Sequence, residues 1–196
     1  MLWLYVALFI TALIMGMLNV SQWVLIATLI GFTALSLWQS FYPILFEKDE
    51  KKIMKFLGKS KQAHYQFLYH FFNDDMPKAE ASLQRIRSKR MQNASNLLLF
   101  TKKKQYTEVK ALLPQMKDDD VKSYYSAVIA YEEQDNSGYE EYKGKIQDQD
   151  YVTWLEVEEK VQQGRKAEAL AMLDEQLLKL KGLKRLSAVH YRKEIA

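Results

Sequence analysis

The chain has 196 residues, with 28 Lys and Arg against 24 Asp and Glu, for a formal net charge of +4. That charge is too mild to nominate a nucleic acid as partner, and the absence of Cys removes disulfides, thiolate metal sites and Cys nucleophiles together. The charges are unevenly placed: Met1 to Phe46 contains no Asp, Glu, Lys, Arg or His, and Glu47 is the first charged side chain.

An uncharged apolar run of that length exceeds the roughly 20 residues that one membrane crossing needs. Two transmembrane helices are therefore expected in a hairpin domain over residues 1–46, one over residues 2–18 and one over residues 23–45, joined by Asn19-Val20-Ser21-Gln22. A cleaved secretory signal would begin with basic residues; Met1-Leu2-Trp3-Leu4 has none, and apolar sequence resumes after Asn19. Trp3, Tyr5, Trp38 and Tyr42 would lie at one membrane interface and Trp23 at the other. Ala12 with Gly16, and Ala27 with Gly31, are small residues four apart, a spacing that lets helices in lipid pack closely.

Residues 47–60 read as a basic juxtamembrane helix. Lys48, Lys51, Lys52, Lys55, Lys59 and Lys61 crowd the exit of the second apolar helix, while the loop on the other side has no basic residue. Basic flanks stay on the cytoplasmic side, so both termini are expected in the cytoplasm, with the hairpin in the inner membrane as a multi-pass anchor. The same lysines are within reach of anionic lipid headgroups.

Residues 61–196 read as all-α. Pro77 follows a turn and suits a helix start, Pro114 falls near a helix end, and no stretch sustains the alternation of a strand. Lys78-Ala79-Glu80-Ala81 recurs as Lys166-Ala167-Glu168-Ala169, 88 residues on, and polar turns fall between at Lys102-Lys103-Lys104-Gln105 and Asp135-Asn136-Ser137-Gly138. Four helical hairpins of about 29 residues fit this spacing. Their first helices would bury Tyr65, Leu68 and Phe72, then Leu97 and Phe100, then Tyr124 and Val128, then Trp154 and Leu155. Residues 183–195 would form a helix capping the stack.

With Trp154-Leu155 in a first helix, Gly164 at the turn and Ala169 five residues later, the chain resembles the tetratricopeptide-repeat superfamily over residues 61–181. The resemblance implies stacked helical hairpins whose first helices line a groove for a peptide or another protein.

No catalytic set can be assembled. His64 and His70 are six residues apart, which turns them about 240° from each other on a helix, so they do not converge on a metal. Asp118-Asp119-Asp120 suits a helix start, where carboxylates cap free N–H groups and complement the helix dipole. Basic residues such as Arg85, Arg87, Lys89 and Arg90 form a patch, but the aromatics sit at core spacing rather than among them, which argues against nucleic acid. The expectation is a membrane-tethered, non-enzymatic scaffold or adaptor without cofactor or metal, recruiting a protein through the groove. His64, Gln66, Asn93, Asn96, Lys122 and Tyr125 are its expected contacts. The alternative is an accessory or assembly subunit of a membrane transporter or protease complex that binds through the hairpin itself.

Overall fold

A computed structural model describes residues 2–18 and 20–196, with side chains from Val6 onward, and among these it contains helices and no strand. The expected turn residue Asn19 and the side chains of Trp3 and Tyr5 lie outside what is described. Two apolar helices open the chain, α1 (Leu2–Met17) and α2 (Gln22–Leu45). α2 is long and apolar enough to cross a membrane, with a mean hydropathy of 1.7 and no buried residue. At 1.5 Å per residue it reaches roughly 36 Å, more than the ~30 Å of a hydrocarbon core. Pro43 sits in its last turn, and there Trp38 packs against Tyr42 and Phe46 with ring centroids 5.5 Å apart in each pair.

The small residues do not join α1 to α2. Ala12, Gly16, Ala27 and Gly31 are exposed, and a Cβ added at either glycine would meet nothing within 4 Å. The half-buried positions are instead Leu8, Thr11 and Met15 on α1 and Leu25, Thr28 and Phe32 on α2. These side chains follow three- and four-residue spacing and define the facing sides of the pair, and the glycines lie off that side.

The chain leaves α2 through a short charged link. The Glu47 carboxylate accepts the N–H groups of Lys48 and Asp49, and Asp49 caps α3 (Glu50–Lys59) by accepting from Lys51 and Lys52. α3 buries Ile53 and Leu57 and leaves its lysines in water.

Four helical hairpins follow: α4 (Ala63–Phe72) with α5 (Met76–Leu83), α6 (Lys89–Lys102) with α7 (Tyr106–Leu112), α8 (Asp120–Glu132) with α9 (Asn136–Lys145), and α10 (Gln149–Gln162) with α11 (Lys166–Lys179). The second helices begin at 76, 106, 136 and 166, a constant step of 30 residues. Asp74, Lys104, Gln134 and Gly164 occupy the left-handed region at the same step, with φ of 57°, 56°, 60° and 75°. Each turn is closed alike: the N–H groups of Asp75, Gln105, Asp135 and Arg165 reach the carbonyls of His70, Phe100, Ala130 and Lys160 at 2.8–3.0 Å. This is the Schellman closure, which satisfies the last carbonyls of the first helix.

The core keeps the same step. Phe67, Leu97, Ala127 and Val157 are all fully buried, and Ala79, Val109, Tyr139 and Ala169 form a second buried set at the same step. The spacing is 30 rather than about 29 residues, so Ala79 is equivalent to Ala169. The four-residue sequence match had paired it with Ala167, two positions out of register.

The last helix, α12 (Gly182–Ile195), does more than cap the final hairpin. Ala188 and Ile195 pack with Val157, Ala169 and Leu173 of that hairpin, while Leu186 packs with Ile53, Leu57, Phe67 and Phe71 at the start of the domain. Its N-terminus docks on the exit of α2. The Gly182 N–H bonds the Glu47 carbonyl at 2.7 Å, and a Cβ at Gly182 would fall 2.1 Å from the Ile44 carbonyl oxygen. Arg185 adds an ion pair to Glu50 at 3.6 Å.

Candidate functional site

A groove of about 1250 Å³ lies over α8. Pro114 interrupts the end of α7, which runs into a 3-10 turn (Leu113–Gln115) and then an extended link. Asp119 restarts the helix by accepting the Lys122 N–H at 3.2 Å. α8 is thereby left between two walls, with Lys110, Leu113 and Pro114 on one side and Tyr142, Lys145 and Tyr151 on the other. Ser126, Ile129 and Ala130 form the floor. Asp120 fixes the far end, because its carboxylate accepts the N–H groups of Gln147 at 3.1 Å and Asp148 at 2.9 Å in the turn between α9 and α10.

The walls carry six carboxylates (Asp118, Asp119, Asp120, Glu133, Asp135 and Asp148) against three ammonium groups. Lys110 meets Glu133 at 2.6 Å and Lys122 meets Asp118 at 3.2 Å, so the outer pairs are exposed and exchangeable while the caps at Asp119 and Asp135 are fixed. An open trough of this size, with an apolar floor and a negative rim, suits a segment of a protein better than the enclosed burial of a small molecule.

Of the six residues expected to line a first-helix groove, Lys122 alone lines this one. Gln66 is a structural cap: its amide donates to the carbonyls of Leu57, Gly58 and Ser60 at 3.3, 3.3 and 2.6 Å and closes the end of α3. Asn93 and Tyr125 are buried, Tyr125 among Leu97, Val109 and Ile129. His64 is half-buried with Nδ1 3.2 Å from Ser95 Oγ, and burial holds its pKa below the ordinary value of 6.5. Asn96 is half-buried on α6. The floor residues Ser126, Ile129 and Ala130 were missed; their signal is the pair of small side chains one turn apart on α8.

α12 packs against α2, α3 and α11, and its side chains reach the first helices α4, α6 and α10. The His190 ring meets Phe72 with centroids 5.5 Å apart, Lys102 of α6 hydrogen-bonds Glu194, and the Tyr191 hydroxyl donates to Glu158 of α10. Lys184 pairs with Asp148 and Asp150 at 2.5 and 2.6 Å, and Arg192 pairs with Asp174 at 2.5 Å.

Asp74, His190 and Glu194 converge as metal ligands would, with one donor atom of each within 4.8 Å of the others. The Lys102 ammonium already sits among them, 3.0 Å from Asp74 and 3.1 Å from His190 Nε2. Burial opposes the charge on Lys102, but hydrogen bonds to Glu194 and Asp74 outweigh it and raise its pKa. Burial first, and Lys102 second, lower that of His190. The cluster is a half-buried cation held by two carboxylates and an imidazole, and it ties α12 to α6.

Comparison with known proteins finds no matching family model, no matching curated protein and no matching solved structure.

Proposed function

We propose that this chain is a membrane-tethered, non-enzymatic scaffold of the tetratricopeptide-like class, which recruits a protein partner to the cytoplasmic face of the inner membrane. The observation that carries this reading is the junction of two unlike surfaces within five residues. α2 leaves most of its apolar side chains exposed and none buried, whereas the helices from Glu50 onward form a charged domain that carries an open groove of about 1250 Å³. In this reading α1 and α2 both cross the bilayer and leave both termini in the cytoplasm, in keeping with the lysines that follow α2. The occupant is a partner segment with apolar side chains on one side and basic ones on the other, matched to the floor around Ile129 and to the six rim carboxylates.

A photo-crosslinking residue at Ser123 or Lys145, in the full chain in its own membrane, should capture one discrete partner. Ser126→Arg should abolish that capture, since it fills the floor and adds a like charge to a basic partner. Capture of equal yield from Met91, which lies on an exposed part of α6 away from the groove, would reject the trough as the binding surface.

A second reading has its own support, because Gly16 and Gly31 face outward rather than toward each other. In that reading the chain is an accessory subunit whose hairpin packs against the membrane helices of a larger complex. Gly16→Leu with Gly31→Leu would then dissolve the assembly while leaving the crosslinks of Ser123 intact.

A further inference from the structure

About half of the lysines after Phe46 pair with a carboxylate, among them Lys78, Lys103, Lys110, Lys143, Lys160 and Lys184. Lys51, Lys55, Lys59 and Lys193 are among those that do not: each is exposed, and none makes an ion pair among the described residues. They nevertheless surround one cleft of about 570 Å³ between α3 and α12. The first three stand four residues apart, which places them on one face of α3, and Lys193 answers them from α12. The only carboxylate in the lining is Glu50, and Arg185 already holds it at 3.6 Å. His190 also lines the cleft, where burial and then Lys102 lower its pKa. Four unpaired ammonium groups gathered around one concavity repel each other, and an anion in their midst removes that repulsion.

The cleft also has an apolar bed. Met54, Phe72, Leu186 and Val189 line it, and the Tyr69 ring lies so close over Gly58 that a Cβ there would come within 2.8 Å of it. Free phosphate has no use for such a bed, whereas the glycerol and first methylenes of a lipid do. The position agrees. α3 and α12 both begin at the exit of α2, with Gly182 bonded to Glu47, so the cleft between them starts from the end of the apolar helix and runs along both helices from Glu50 to Lys59 and Lys193.

We infer that the cleft between α3 and α12 binds an anionic phospholipid of the host membrane, with its phosphate among Lys51, Lys55, Lys59 and Lys193 and its glycerol region on Met54, Phe72 and Leu186. The inference rests on the reading that α2 lies in lipid. Through it, lipid would clamp the C-terminal helix onto the juxtamembrane helix.

The test uses the full chain in a neutral detergent, titrated with short-chain phosphatidylglycerol and followed by the phosphorus resonance of the lipid. Short-chain phosphatidylcholine, glycerol phosphate and inorganic phosphate serve as separate probes. With each lysine near the headgroup contributing as surface lysines do, the triple change Lys51→Gln, Lys55→Gln, Lys193→Gln should weaken phosphatidylglycerol binding roughly a hundredfold. The triple change Arg87→Gln, Lys89→Gln, Lys117→Gln removes equal charge away from the cleft and should leave the affinity as it was. Equal losses in both variants, or equal affinity for phosphatidylcholine, would overturn the site. Equal affinity for glycerol phosphate or inorganic phosphate would overturn the lipid as its occupant. Sedimentation without detergent tests the underlying reading separately: a monodisperse chain that still binds phosphatidylglycerol would end the membrane placement of α2 and leave the cleft standing.

Discussion

Gly182→Ala is expected to release the C-terminal helix and to lower the unfolding free energy by about 3 kcal/mol. Two costs combine. The residue has φ +57°, which an L side chain adopts only with strain of about 1–2 kcal/mol. The added Cβ would also fall 2.1 Å from the Ile44 carbonyl oxygen, so the helix must retreat and surrender the 2.7 Å bond from Gly182 to Glu47, worth about 1 kcal/mol. Gly164 supplies the control. It has φ +75°, yet a Cβ there meets nothing within 4 Å, so Gly164→Ala should cost only the strain. Denaturant unfolding of the two variants in detergent checks the difference, and hydrogen exchange should show α12 unprotected in Gly182→Ala alone. Equal losses in the two variants would mean that α12 does not depend on its seat at the exit of α2.

Phe67→Ala should cost about 3–5 kcal/mol, the range for deleting a fully buried aromatic side chain. Its place in the core says more than its size. Phe67 belongs to the same fully buried layer as Leu97, Ala127 and Val157, but it alone of the four packs in the cluster that also holds Ile53, Leu57 and Leu186. An open stack of hairpins would let such damage stay local, since each unit touches only its neighbours. Here α12 joins the first hairpin to the last, and the loss should spread. A double-mutant cycle between Phe67→Ala and Leu186→Ala should give a coupling of about 0.5–3 kcal/mol, and unfolding should remain a single transition. Additive effects with separate unfolding of the first hairpin would contradict the closed arrangement.

The all-α class was legible because Pro77 stands where a helix starts, Pro114 and the polar turn residues stand where helices end, and no stretch alternates as a strand does. The 30-residue step was harder to read. Only Gly164 among the four left-handed turn residues is glycine; Asp74, Lys104 and Gln134 adopt the same conformation without advertising it. The buried layer at 67, 97, 127 and 157 mixes Phe, Leu, Ala and Val, so it conserves a position and no residue type. The matched Lys-Ala-Glu-Ala segments were misleading because Lys and Glu sit in water and do not fix the register.

The candidate groove was less legible than the fold. Gln66, Asn93 and Tyr125 were reasonable choices for a first-helix face, but whether a polar side chain looks into a groove or caps a neighbouring helix depends on packing that only tertiary structure supplies. The same holds for α12. Its apolar residues Leu186, Ala188 and Ile195 mark a buried helix, yet nothing in their spacing tells that Leu186 meets the first hairpin while Ala188 and Ile195 meet the last. In the hairpin, small residues four apart suggested contact, but Leu8, Met15, Leu25 and Phe32 occupy the facing sides and the small residues are exposed.

The natural absence of Cys makes the central claim, an apolar helix in lipid bearing a helical domain in water, open to a direct measurement. Single cysteines at Ile30, Ser21 and Lys61 can each be exposed to a membrane-impermeant maleimide in sealed inner-membrane vesicles with the cytoplasmic face outward. The account expects Lys61→Cys to label at once, Ser21→Cys only after the membrane is permeabilised, and Ile30→Cys only after detergent. Labelling of Ile30→Cys in intact vesicles at the rate of Lys61→Cys would contradict it.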